Sequence, residues 1–182
     1  MRRPALAALC LSLAAPAAAQ DADAAFAALD AAATRGVAGT NVTTAGISRG
    51  DGCALTYSAS QAVGPTVLTA TFTFDPAALD LEHPDSDDDI LMDPAIEVRT
   101  IVFGGIQPDT PGVDRIVTAP ADTDEQRTFF EENIPGGSCD DSGCTYVIEE
   151  GEVILLALDD DRDAQEGAII SALKEFVAVC GG

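Results

Sequence analysis

Residues 53–74 read CALTYSASQAVGPTVLTATFTF, and this stretch decides the fold. Cys53, Leu55, Tyr57 and Ala59 alternate with Ala54, Thr56, Ser58 and Ser60. Leu68, Ala70, Phe72 and Phe74 alternate with Thr69, Thr71 and Thr73. A period of two belongs to a strand with one buried and one wet face. QAVGP, between the runs, carries glycine and proline where a chain must reverse. The stretch is predicted as an antiparallel hairpin.

Toward the C-terminus, AIEVRTIVF (95–103) reads as the next strand, with Glu97 and Arg99 on its wet face. VDRIVTA (113–119) is a weaker strand, and QRTFFEE (126–132) suits a strand or a short helix. TYVIE (145–149) and EVILLAL (152–158) flank a Glu-Gly pair, which predicts a tight hairpin with Gly151 as its permissive residue. VILLAL is apolar on both faces, so its strand needs cover on its back. A C-terminal helix supplies it. Ile169, Leu173, Phe176 and Cys180 form one stripe, widened by Ile170 and Val177. Asp163 is the expected N-cap, with Glu166 three residues on.

Toward the N-terminus, residues 36–52 are rich in Gly, Thr and Ser and read as a loop. Residues 21–35 form an alanine-rich helix with Ala22, Phe26, Leu29 and Ala33 on one stripe. Residues 75–94 are expected to form an acidic loop with a short helical turn. The predicted class is α+β: a mainly antiparallel sheet of about six to seven strands, an N-terminal helix and a C-terminal amphipathic helix. In element order this resembles a pleckstrin-homology-like half-barrel.

Residues 1–20 begin with Arg2 and Arg3, continue as a short apolar run and end in small residues. This is the pattern of a secretory signal peptide. The run is too short for a membrane anchor, and Pro16 interrupts it. Expected organisation is therefore a leader (1–20), a helix and Gly/Thr-rich loop (21–52), and one disulfide-stapled domain (53–182). The product would be periplasmic or secreted, with no membrane insertion after cleavage. Cys10 would leave with the leader.

Cys53, Cys139, Cys144 and Cys180 remain, an even set that suggests two disulfides in an oxidising compartment. The leading pairing is nested, Cys53–Cys180 and Cys139–Cys144, with the crossed pairings open. Chain entropy assigns the long bridge roughly 5 kcal/mol and the short one roughly 2 kcal/mol, as upper values. CDDSGC (139–144) is a poor redox motif, because its spacing departs from C-x-x-C and its aspartates disfavour a thiolate. One histidine in the chain leaves a structural zinc site short of ligands.

The tail AIISALKEFVAVCGG, following VILLALDDD, resembles the ending of small exported bacterial domains of unknown function. In those, a last strand, an acidic link and a helix finish in a cysteine and glycines. The likeness covers roughly the last 40 residues and implies a fold but no activity.

Nine Lys and Arg stand against 31 Asp and Glu, a formal charge of −22, and the leader would remove two of the nine. Such a surface repels nucleic acid and anionic lipid and favours a cation or a basic protein partner. LEHPDSDDD supplies the candidate metal set: Glu82, His83, Asp85, Asp87, Asp88 and Asp89, suited to Ca2+. A solvated acidic segment is the competing explanation. Asp159, Asp161 and Asp163 match the start of a calcium loop, but Ala164 and Ile170 stand where glycine and glutamate are required. Helix capping explains those acids better. Arg49-Gly50-Asp51 matches an adhesive tripeptide but also suits a turn. No nucleophile elbow or phosphate-binding loop is present. The expected function is an exported, acidic, non-enzymatic binding or interaction domain. The alternatives are a divalent-cation binder using 82–89, then a carboxylate-based hydrolase.

Overall fold

The computed structural model describes residues 15–35, 42–91, 96–107, 110–148 and 151–180. Expectations for the leader residues 1–14, for 36–41 and for the 149–150 part of the Glu-Gly turn lie outside them. The described elements run in the order α1 (Ala15–Ala33), β1 (Val42–Arg49), β2 (Leu55–Val63), β3 (Thr66–Phe74), a 3-10 turn (Pro76–Ala78), β4 (Asp85–Leu91), β5 (Ile96–Phe103), β6 (Asp114–Ala119), α2 (Asp124–Asn133), β7 (Ser138–Asp140), β8 (Gly143–Val147), β9 (Val153–Ala157) and α3 (Arg162–Cys180). Strands form two open antiparallel sheets: six strands in the order β1-β2-β3-β6-β8-β7, and three in the order β4-β5-β9. The class is α+β, as predicted. The strands divide between two sheets rather than closing one half-barrel.

The β2–β3 hairpin turns at Gly64, whose φ of 56° only glycine adopts readily. Its two faces separate as the alternation requires. On the inner face, Leu55 lies opposite Phe74 and Tyr57 opposite Phe72, all four buried. On the outer face, Thr56–Thr73, Ser58–Thr71 and Ser60–Thr69 hydroxyl pairs lie 3.1, 3.1 and 2.9 Å apart. Each such cross-strand pair stabilises the sheet by a few tenths of a kcal/mol up to about 1.

The main core joins this inner face to β5, β9 and both long helices. Ile101, Phe103, Val153, Leu155, Leu29, Ile169, Leu173 and Phe176 are all fully buried. Phe26 and Phe176 meet edge to face at 6.3 Å where α1 crosses α3. Both nested disulfides are present. Cys53–Cys180 spans 127 positions and ties the entry of β2 to the end of α3, and Cys139–Cys144 joins facing residues of β7 and β8.

Several local expectations are corrected. Helix α1 begins at Ala15 rather than at residue 21. Val42–Arg49, expected as loop, is an edge strand on β2. Its Val, Thr and Ile residues are strand formers once a neighbour supplies the ladder. Asp85–Leu91, expected as acidic loop, pairs along its length with β5, and its charges suit an edge that must not pair with another chain. Residues 126–132, whose sequence suits either a strand or a short helix, are helical, and Thr123 and Gln126 close a capping box at the start of α2. β8 and β9 form no hairpin, because β8 pairs with β6 and β7 while β9 pairs with β5. Gly151 is needed for a different reason: a Cβ there would overlap the Ile106 carbonyl oxygen.

Candidate functional site

The inner face of the six-stranded sheet changes size along its strands. One row holds Tyr57 and Phe72. The next places Ala45, Ala59, Ala70 and Val117 side by side across β1, β2, β3 and β6. The row after that pairs Gln61 with Leu68. Of this row, adjacent Ala59 and Ala70 leave space that the flanking larger residues do not fill. The result is a half-open groove of about 230 Å3.

Two walls rise from this floor. Ile134 forms one and is fixed as the C-cap of α2, its amide donating to the Phe130 carbonyl at 2.8 Å. Phe130 anchors that helix in a second small core with Ala119 and Cys144, against which Leu68 and Val117 pack from the groove floor. Leu156 of β9 and Val42 of β1 form the other wall. The Leu156 amide donates to the Tyr57 hydroxyl at 3.2 Å, which occupies part of the outer edge of β9. Burial pushes the Tyr57 phenol up to about 12, against the lowering effect of that bond. Among the described residues no ionisable side chain lines the groove, in a chain of formal charge −22. Gln61 brings the one side-chain amide.

The acidic candidates lie elsewhere and diverge. Glu82 pairs with Lys174 of α3 at 3.0 Å. His83 Nδ1 lies 3.3 Å from Asp80, whose carboxylate also accepts the Glu82 and His83 amides. Those backbone bonds, the Glu82 amide first, hold the Asp80 carboxyl below the usual range. In β4, Asp85, Asp87 and Asp89 fall at the register positions that alternate with Asp88. Asp88 faces Arg99 at 3.1 Å and Arg162 at 3.7 Å. Among the described residues no group of three or more His, Cys, Asp or Glu is gathered to hold a metal ion.

Arg99, expected on a wet face, instead shares the face of β5 that holds buried Ile101 and Phe103. It bonds Asp88, Asp163 and, at 3.0 Å, Glu166. Asp163 is therefore spent on Arg99, and the α3 cap is Asp161, which accepts the Ala164 amide at 3.1 Å. Asp159 lies 3.6 Å from Arg35. Arg49 of the adhesive tripeptide pairs with Asp23 at 3.0 Å and lies over the Phe176 ring. In CDDSGC, Asp140 accepts the Ser142 hydroxyl and amide, which keeps its carboxyl below the usual range. These acids are occupied in holding turns, caps and strands.

No family model, curated protein or solved structure matches this chain. Sequence reading missed the groove, although its signal was present. TAGIS, YSASQ and TATFT each carry an alanine at an inward position. Only the pairing register shows that the three align. Among the described residues no helix is long and apolar enough to cross a membrane.

Proposed function

We propose that this chain is an exported, disulfide-stapled binding protein that holds a small, uncharged, apolar molecule in the groove above Ala59 and Ala70. The alanine row carries the reading: it hollows a neutral apolar recess into an otherwise strongly acidic protein. Binding sites are typically concave and apolar with few polar groups, and Gln61 provides such a group here. The leader-like residues 1–20 and the two disulfides support an oxidising compartment outside the cytoplasm. The volume exceeds that of a cavity that accepts benzene, about 150 Å3, so a larger ring system or a short alkyl chain fits.

The test uses the neutral fluorophore N-phenyl-1-naphthylamine and the oxidised protein. Saturable fluorescence enhancement at one site is expected. Ala70→Leu and Ala59→Leu fill the recess and should abolish it while the far-ultraviolet circular dichroism stays unchanged. Absence of saturable binding, or equal binding by both leucine variants, refutes the reading.

A further inference from the structure

We infer that the Cys139–Cys144 disulfide is a redox latch on the groove: closed, it holds the Ile134 wall in place, and opened by a dithiol, it lets that wall move and the bound molecule leave. This rests on the groove being the binding site. Strand β7 is three residues long, lies at the sheet edge and, among the described residues, pairs only with β8. So short an edge strand has little to hold it besides the covalent bridge.

Helix α2 rests on that strand. Arg127 Nη1 donates to the Asp140 carbonyl at 2.8 Å, and Cys139 Sγ lies 3.9 Å from the Arg127 carbonyl. The Gly137 amide donates to the Ile134 carbonyl at 2.9 Å, which couples the entry of β7 to the residue that walls the groove. Cys144 belongs to the small core under Phe130, and Cys139 packs on it together with Ile134, Leu68 and Val117. The last three also line the groove. The bridge and the recess therefore share walls. Cys53–Cys180, by contrast, packs against the main core.

Access is one-sided. Cys144 is 1% exposed, whereas Cys139 is half-buried. A thiolate of an external dithiol therefore attacks Cys139 Sγ, forms a mixed disulfide and expels the Cys144 thiolate, which takes a proton. The second thiol of the reductant then attacks its own sulfur and releases Cys139 as a thiol. Two electrons and two protons reach the protein, and the reductant leaves as a cyclic disulfide.

Three measurements on the full chain test the latch: N-phenyl-1-naphthylamine binding, far-ultraviolet circular dichroism and amide hydrogen exchange of α2. The comparison is wild type against Cys139→Ser/Cys144→Ser. Loosening an apolar wall the size of Ile134 predicts affinity lower by about tenfold or more, with secondary structure retained. Exchange at Phe130 and Ile134 should quicken. Affinity within about twofold of wild type overturns the latch. Should the double variant fail to fold, wild type is titrated with dithiothreitol, and thiols are located by alkylation and mass spectrometry. Probe release must then follow the appearance of Cys139 and Cys144 thiols while Cys53–Cys180 stays closed; release that follows Cys53 instead overturns it. If oxidised wild type takes up no probe, the groove reading fails. Unchanged exchange at Ile134 in the open form then rejects the latch separately.

Discussion

Gln165 and Ala32 are 133 positions apart, yet the Gln165 side-chain amide donates to the Ala32 carbonyl at 2.9 Å. The same nitrogen donates to the Arg35 carbonyl at 3.0 Å. Its oxygen accepts the Leu158 and Asp159 amides, both at 2.7 Å. One fully buried side chain thus joins the end of α1, the exit of β9 and the first turn of α3.

Replacing it leaves four backbone groups without their partner. Gln165→Leu should cost roughly 3–5 kcal/mol, because each buried unsatisfied group costs about 1–3 kcal/mol and relaxation recovers part. Gln165→Glu should be at least as harmful, since a carboxylate oxygen would face two carbonyls. Urea denaturation of the oxidised protein measures both. A loss under about 1 kcal/mol for the leucine variant would contradict this account.

The two disulfides should differ in weight. The chain-entropy estimate gives about 5 kcal/mol for the 127-position bridge and about 2 kcal/mol for the 5-position bridge. Cys53→Ser/Cys180→Ser should therefore lower the denaturation midpoint much further than Cys139→Ser/Cys144→Ser. The reverse order would show that the short bridge carries native-state enthalpy that loop closure ignores.

Tyr57 predicts a loss of stability in alkali. Its folded-state phenol sits at about 12, above its ordinary value of about 10. The folded state therefore binds the proton more tightly. The resulting stability is complete below pH 10 and is lost as pH rises toward 12, about 3 kcal/mol in all. Tyr57→Phe lacks this dependence. It starts lower at pH 7 by about 1–2 kcal/mol, because the Leu156 amide loses its acceptor. Melting curves of the two proteins should converge between pH 10 and 12; parallel curves would refute the assignment.

Arg99 predicts the acid and salt response. The Arg99 hydrogen bond holds the Asp88 carboxyl below the usual range, with smaller contributions from the Arg99 and Arg162 charges. A depressed carboxyl stabilises the fold above its unfolded pKa, and that contribution fades as pH falls through the lowered value. Arg99→Gln removes it and leaves Asp88, Asp163 and Glu166 to repel one another. Its melting temperature should fall at pH 7, recover partly in 1 M NaCl and converge on wild type as pH falls through the lowered Asp88 value. For the wild type, CaCl2 and NaCl at equal ionic strength should stabilise alike; an excess for calcium would restore a specific cation site.

Much of the fold was legible because alternation is a local signal. Tyr57 and Phe72 declare an inward face without any partner in view, and Ile169, Leu173 and Phe176 declare a helical stripe. The nested pairing led the alternatives, and the structure adopts it. What composition concealed was whether a polar run meets a neighbour. Val42–Arg49 and Asp85–Leu91 look like loops in isolation and become strands only because β2 and β5 offer them a ladder. The acidic residues misled for a related reason: a carboxylate's role is set by the cation or amide it meets, as Asp88 and Asp163 show at Arg99.

The sequence by itself determined the class of the fold, the faces that β2 and β3 bury, the cysteine inventory and the negative charge. These depend on residues near one another along the chain. The tertiary structure alone decided that β8 and β9 enter different sheets, that Gln165 joins three elements, and that Ala59 and Ala70 lie side by side under a groove. Each depends on register or on closure over long separations, and a run of residues carries no information about which distant run will lie beside it.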